Sequence, residues 1–89
     1  MAEPIRTVVI DDEEDMRDLL RVRLERDNAF AIVGEGGTCD VAVALCAEHR
    51  PHVLILDAGM HGENALLAVP EIRQATPATI IVIYTSDSG

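Results

Sequence analysis

A chain of 89 residues makes one small domain, of a size that buries only roughly 60% of the surface its unfolded chain exposes, so residues 1–89 leave no room for a second. The net charge of −9, with seven arginines and no lysine, excludes a nucleic-acid-binding surface on this segment, because phosphates would be repelled. Phe30 and Tyr84 are the only aromatic residues, so the core must be built from Val, Ile, Leu and Ala.

The run Arg6-Thr7-Val8-Val9-Ile10 is β-branched and stops at Asp11-Asp12-Glu13-Glu14-Asp15, which predicts a first strand over 6–10. From Asp12 onward the apolar spacing becomes Met16, Leu19, Leu20 and Leu24 with arginines between, an amphipathic helix. Its first turn is acidic, as the helix dipole prefers. A turn at Asp27-Asn28 leads to a second strand, Phe30-Ala31-Ile32-Val33, which Gly34-Glu35-Gly36-Gly37 is expected to end. That glycine run lacks the Lys-Ser/Thr of a phosphate-binding loop and reads as a turn.

Val41 to Ala47 is Ala-rich and apolar on most sides, which predicts a buried second helix starting near Thr38 and stopping before Pro51. Cys39 and Cys46 lie seven apart in it, and at about 1.5 Å per residue their Cα atoms stand roughly 10 Å apart, too far for a disulfide. They are expected as reduced thiols packed like small apolar groups. Val53-Leu54-Ile55-Leu56-Asp57 is apolar without alternation, the pattern of a strand buried on both faces of a parallel sheet. After its loop, Leu66, Leu67, Val69 and Ile72 mark a third helix, in which Pro70 fits if the first turn starts late, near Ala65 to Leu67. A fourth strand over 79–84 closes in Thr85-Ser86. No basic-then-apolar leader opens the chain and no apolar run reaches membrane-span length, so a cytoplasmic protein without membrane contact is expected.

Strands alternating with helices imply right-handed crossovers and a parallel α/β sheet. In such a sheet the active crevice lies outside the carboxyl ends of the strands. That rule gathers Asp11, Asp12, Asp57, Thr85 and Ser86. Asp57 could simply cap a turn, and the two hydroxyls could simply end a strand. Three carboxylates at one place repel one another and ask for a counter-charge, and an all-oxygen donor set suits a hard cation, Mg2+ best if a phosphate supplies further ligands. His49, His52 and His61 are spread over loops without ligand spacing.

From about Arg6 to the end, the sequence resembles the receiver domain of two-component response regulators. The resemblance rests on Asp11-Asp12 after the first strand, on Asp57 with Met60 and Gly62 at the usual offsets, and on Tyr84-Thr85-Ser86 closing the fourth strand. Phe30-Ala31-Ile32-Val33-Gly34-Glu35 also resembles the second strand of the subfamily with a helix-turn-helix output domain, so any DNA binding would belong to an output domain outside this segment. The resemblance implies a flavodoxin-like doubly wound sheet of order 2-1-3-4-5, present here as its N-terminal two-thirds, with the fifth strand and the last two helices absent from these 89 residues. It implies that Asp57 is the phosphoacceptor for a sensor histidine kinase, that Asp11, Asp12, Asp57 and the backbone carbonyl of Gly59 hold Mg2+, and that Thr85 hydrogen-bonds the phosphoryl group as part of a switch. It makes the chain a signalling domain rather than an enzyme; the arginine face Arg17, Arg21 and Arg23 reads as a solvated helix face, and the resemblance offers the alternative that it is part of the kinase-docking surface.

The chain departs from the family at His61, where a proline is usual, and in lacking the Lys that ends the family's fifth strand. Without a fifth strand the fourth becomes an Ile-rich edge, which predicts a homo-oligomer formed through that edge or by segment exchange. A rival reading is a receiver-like interaction or dimerisation module that is never phosphorylated. A third, an aspartate-nucleophile phosphohydrolase, expects Asp-x-Asp where this chain has Gly59.

Overall fold

The computed structural model describes residues 3–60 and 62–85, in which strands and helices alternate. They are β1 (Ile5–Ile10), α1 (Glu14–Glu25), β2 (Phe30–Gly36), α2 (Cys39–His49), β3 (Val53–Asp57), α3 (Ala65–Ala75) and β4 (Ile80–Tyr84). Every strand pair is parallel and the sheet order is β2-β1-β3-β4, the flavodoxin-like order expected. Successive residues of a strand point to opposite faces. Val8, Ile10, Leu54 and Leu56 therefore share one face, where they form the core with Ala42 and Cys46 of α2, Ala65 and Ile72 of α3, and Met60. Thr7, Val9 and Asp11 have the opposite parity and are also fully buried.

Local signals explain where the helices start. Thr38 caps α2 by accepting a hydrogen bond from Val41 N, and Asn64 caps α3 by accepting one from Leu66 N. Glu63, in the loop before α3, accepts from Cys39 N at 3.0 Å and so ties the start of α2 to the segment that leads into α3. Both cysteines are free thiols, and burial is the main cause that pushes each up to about 11.

Three sequence expectations need correction. First, β2 does not stop at Val33: Gly34, Glu35 and Gly36 pair with Val8, Val9 and Ile10 after a register shift that skips Val33. The glycines serve close approach instead of a turn. A Cβ on Gly36 would sit 2.3 Å from Val41 Cγ1, and one on Gly34 would sit 3.1 Å from Leu45 Cδ2, so α2 can lie on the strand only where side chains are missing. Second, α1 starts at Glu14 rather than Asp12 and has no fully buried residue; Leu19 and Val22 are exposed. It rests mainly on β2 and also on β1, and on β4 the residues of the same face, Ile80 and Val82, are exposed as well. Third, Pro70 is the sixth residue of α3, past the first turn, on a solvent-facing side with Leu66 and Leu67. The expected boundaries of α2, β3 and α3 otherwise agree with the structure to within a residue, and β4 begins at Ile80.

Candidate functional site

Parallel pairing brings three strand ends to one level. Ile10 pairs with Leu56, and Asp57 pairs with Tyr84, so the residues that follow β1, end β3 and end β4 meet at one end of the sheet. Asp11, Asp12 and Asp57 each place one carboxylate oxygen there, and these oxygens lie within 4.8 Å of one another. Asp11 and Asp57 are essentially inaccessible to solvent, and Asp12 is half-buried. Two unit charges at that separation repel by about 3 kcal/mol at an effective dielectric of about 20, so the cluster is electrostatically costly as it stands.

Backbone donors offset part of that cost. Asp11 Oδ1 accepts from Glu13 N at 2.8 Å, and Asp57 Oδ1 accepts from Gly59 N at 2.9 Å. Each is a carboxylate turned back onto the amide two residues on, a turn that fixes the side chain. A Cβ at Gly59 would stand 3.5 Å from Asp57 Oδ1 and 3.7 Å from Thr85 Oγ1, so the Thr85 hydroxyl and the Asp57 carboxylate flank the same glycine. Ala58 N donates to Tyr84 O at 2.8 Å and locks the loop after β3 to the end of β4.

Two residues that the sequence reading named only in other connections contact the carboxylate site. Tyr84 donates its hydroxyl to Asp11 Oδ2 in a very short hydrogen bond. Burial first, then the Asp11 hydrogen bond and the charges of Asp11, Asp57 and Asp12, push its phenol far above the usual range, so it stays a donor. Arg17 is the second. Its Nη1 donates to the Asp11 carbonyl at 2.6 Å, and its Nε pairs with Glu35 at 3.4 Å. The sequence held a signal for Tyr84, since a lone tyrosine at the end of an apolar strand needs a partner for its hydroxyl. Arg17 carried none, because its partner Glu35 sits in the stretch read as a turn.

The expected arginine face is accordingly divided. Arg17 and Arg21 are held by Glu35, Arg21 at 2.5 Å, whereas Arg23 is exposed. His61 and Ser86, both named in the sequence reading, lie outside the described residues. His49 and His52 lie at the opposite end of the sheet from the carboxylates.

The donor set fits a hard divalent cation. Oxygens about 2.1 Å from one octahedral Mg2+ stand about 3.0 to 4.2 Å apart, and those of the three carboxylates, within 4.8 Å of one another, lie close to that spacing. No nitrogen or sulfur ligand is among them, which disfavours zinc and copper.

The profile of the response regulator receiver domain matches residues 7–89. The chain is 29% identical over 84 residues to the transcriptional regulatory protein YdfI of Bacillus subtilis, covering 92% of this chain and 39% of that protein. It is 34% identical over 83 residues to protein-glutamate methylesterase/protein-glutamine glutaminase 1 of Rhodospirillum rubrum, covering 93% of this chain and 21% of that one. The chain thus spans well under half the length of either relative. Among solved structures, the signal receiver domain of NarL from Mycobacterium tuberculosis superposes with a TM-score of 0.87 at 25% identity, over 99% of this chain and 71% of that one. The response regulator domain of Thermotoga maritima CheB superposes with a TM-score of 0.84 at 26% identity, over 97% and 65% of the two chains. With a buried aspartate at a strand tip, two more beside it and this match along nearly its whole length, the chain belongs to the response regulator receiver domain family.

Proposed function

We propose that Asp57 accepts a phosphoryl group from the phosphohistidine of a sensor kinase and that the modified domain switches an output. The observation that carries this is the meeting of Asp11, Asp12 and Asp57 at the end of β3, with the Thr85 hydroxyl also close to Gly59. One Asp57 oxygen forms the new P–O bond as the P–N bond breaks; the electron pair leaves on the imidazole nitrogen, which takes up a proton. Asp11, Asp12, Asp57 and the Gly59 carbonyl would hold Mg2+, which when bound neutralises charge on the phosphoryl oxygens. Gly59 N donates to Asp57 Oδ1 and so fixes the orientation of the carboxylate at the tip of β3. Thr85 donates its hydroxyl to a phosphoryl oxygen and draws the end of β4 toward Asp57, a displacement that an output can read. The charge balance supports this over an unphosphorylated interaction module, since buried like charges are costly unless a cation and an anionic group use them.

Incubation with Mg2+ and a small acyl-phosphate donor, followed by intact-mass measurement, tests the proposal. One phosphoryl group is expected on the parent protein and none on Asp57→Asn. An unmodified parent, or a modified Asp57→Asn, would overturn it.

The fourth-strand edge supports a second part of the reading. Ile80, Val82 and Ile83 are exposed on β4, an edge among the described strands. Unpaired backbone groups beside exposed isoleucines favour pairing with another strand, so we place self-association at this edge. The membrane has no part in the proposal: no helix among the described residues is long and apolar enough to cross one. The name of YdfI and the helix-turn-helix resemblance of β2 together support control of transcription as the output, in the cytoplasm.

A further inference from the structure

At the end of the sheet opposite the aspartates, roughly 17 Å away along β1, a cavity of about 540 Å³ opens between the start of β1, the end of α2 and the end of α3. Its size is that of a small-molecule site. The charged and ionisable side chains lining it are Arg6, Arg50 and His52, with no carboxylate among them, although the chain as a whole carries −9. Pro51, Pro77 and Ala78 supply much of an apolar floor.

The walls are built, not improvised. Thr79 Oγ1 donates to Pro51 O at 2.6 Å and meets Thr76 Oγ1 at 2.5 Å, and both threonines are buried. Arg6 N donates to His52 Nδ1, while His52 N and Ile80 N donate to Arg6 O and His52 O, each at 2.9 Å. The Arg6 guanidinium caps α2, donating to His49 O at 2.5 Å and Arg50 O at 2.9 Å. Arg50 differs. It ends α2 with φ +44°, the left-handed position that glycine takes without penalty, and its guanidinium has neither hydrogen bond nor ion pair among the described residues. A non-glycine residue held in this region at a cavity wall is a strain that function can explain.

We infer that this cavity binds a small monoanionic carboxylate with an apolar body. The Arg50 fork offers paired donors matched to a carboxylate, and the proline and alanine floor takes the hydrocarbon part. A doubly charged phosphate fits less well, because the carbonyl ends of α2 and α3 both face this corner and carry partial negative charge. The site is separate from Asp57 and does not rest on its phosphorylation.

The test is a 1H–15N NMR titration of the protein with benzoate and hexanoate, with benzamide and inorganic phosphate alongside. At least one carboxylate should shift the amides of His52, Thr76 and Ala78 in a saturable way, at least tenfold more tightly than benzamide or phosphate. Arg50→Gly removes the guanidinium but suits the left-handed backbone, so it should fold at least as well and bind the carboxylate at least fivefold more weakly. The inference is overturned if neither carboxylate binds there, if benzamide or phosphate binds as well, or if a folded Arg50→Gly binds undiminished.

Discussion

Asp11 is the residue on which the site balances, because it is fully buried and each of its oxygens is already engaged, Oδ1 by Glu13 N and Oδ2 by Tyr84. A hydrogen bond to a buried charge is worth about 1.5–3 kcal/mol. Tyr84→Phe should therefore destabilise the protein by about that amount in urea denaturation, and added Mg2+ should restore more stability than it adds to the parent, since Asp11 then needs the cation more. A loss below about 0.5 kcal/mol would show the contact to be idle. Cys46 gives a second residue-scale outcome. Its thiol is raised by burial from 9.0 to about 11, so between those values the folded chain keeps a proton that the unfolded chain releases. Stability is then full below pH 9 and falls as pH rises toward 11, by of order 2 kcal/mol. Urea midpoints just below pH 9 and near pH 11 should show a smaller fall in Cys46→Ala than in the parent; equal falls would contradict the assignment.

Among the elements, β2 shows where one-dimensional pattern stops informing. The four strands and three helices were legible because long apolar runs and 3.6-residue spacing are strong signals, and the order of the sheet followed from the family resemblance. Gly34-Glu35-Gly36 was not legible as strand, because its glycines answer to Val41 and Leu45 on a different element, a contact that no local window contains. That reading has a direct check. Gly36→Ala places a methyl 2.3 Å from the stiff Val41 side chain and should cost about 1–3 kcal/mol, while Gly36→Ala with Val41→Ala should recover part of it. Additive losses in the double variant would mean that the two positions do not meet. Misreading β2 also hid Glu35, and with Glu35 the anchoring of Arg17 and Arg21, so part of the arginine face is structural. Conversely, α1 looked fully amphipathic in sequence, yet it packs mainly on β2 and leaves Leu19 and Val22 exposed.

For the molecule as a whole, the carboxylates lie at the tips of β1 and β3, whereas the exposed apolar surface of the sheet lies mainly on β4. The carboxylates sit at strand tips, where burial and backbone donors hold them in place, and their types and positions were readable from Asp11-Asp12 and Asp57 alone. Their convergence was readable as well, from the rule that puts the crevice outside the carboxyl ends of the strands, and the pairing register then gives the spacing, within 4.8 Å. The edge of β4 makes a prediction of its own. Sedimentation at micromolar concentration should show a dimer or larger species, and Ile80→Lys with Val82→Lys should shift it toward monomer, as charge on an edge opposes pairing. A parent that sediments as a folded monomer would remove the association from the account. The claim on which the functional reading depends is tested most directly by locating the phosphoryl group: peptide mass mapping after exposure to an acyl phosphate, with Mg2+ and with the ion chelated. The account predicts modification on the peptide holding Asp57 with Mg2+ and little without it, and modification elsewhere, or of Asp57 to the same extent without the ion, would contradict it.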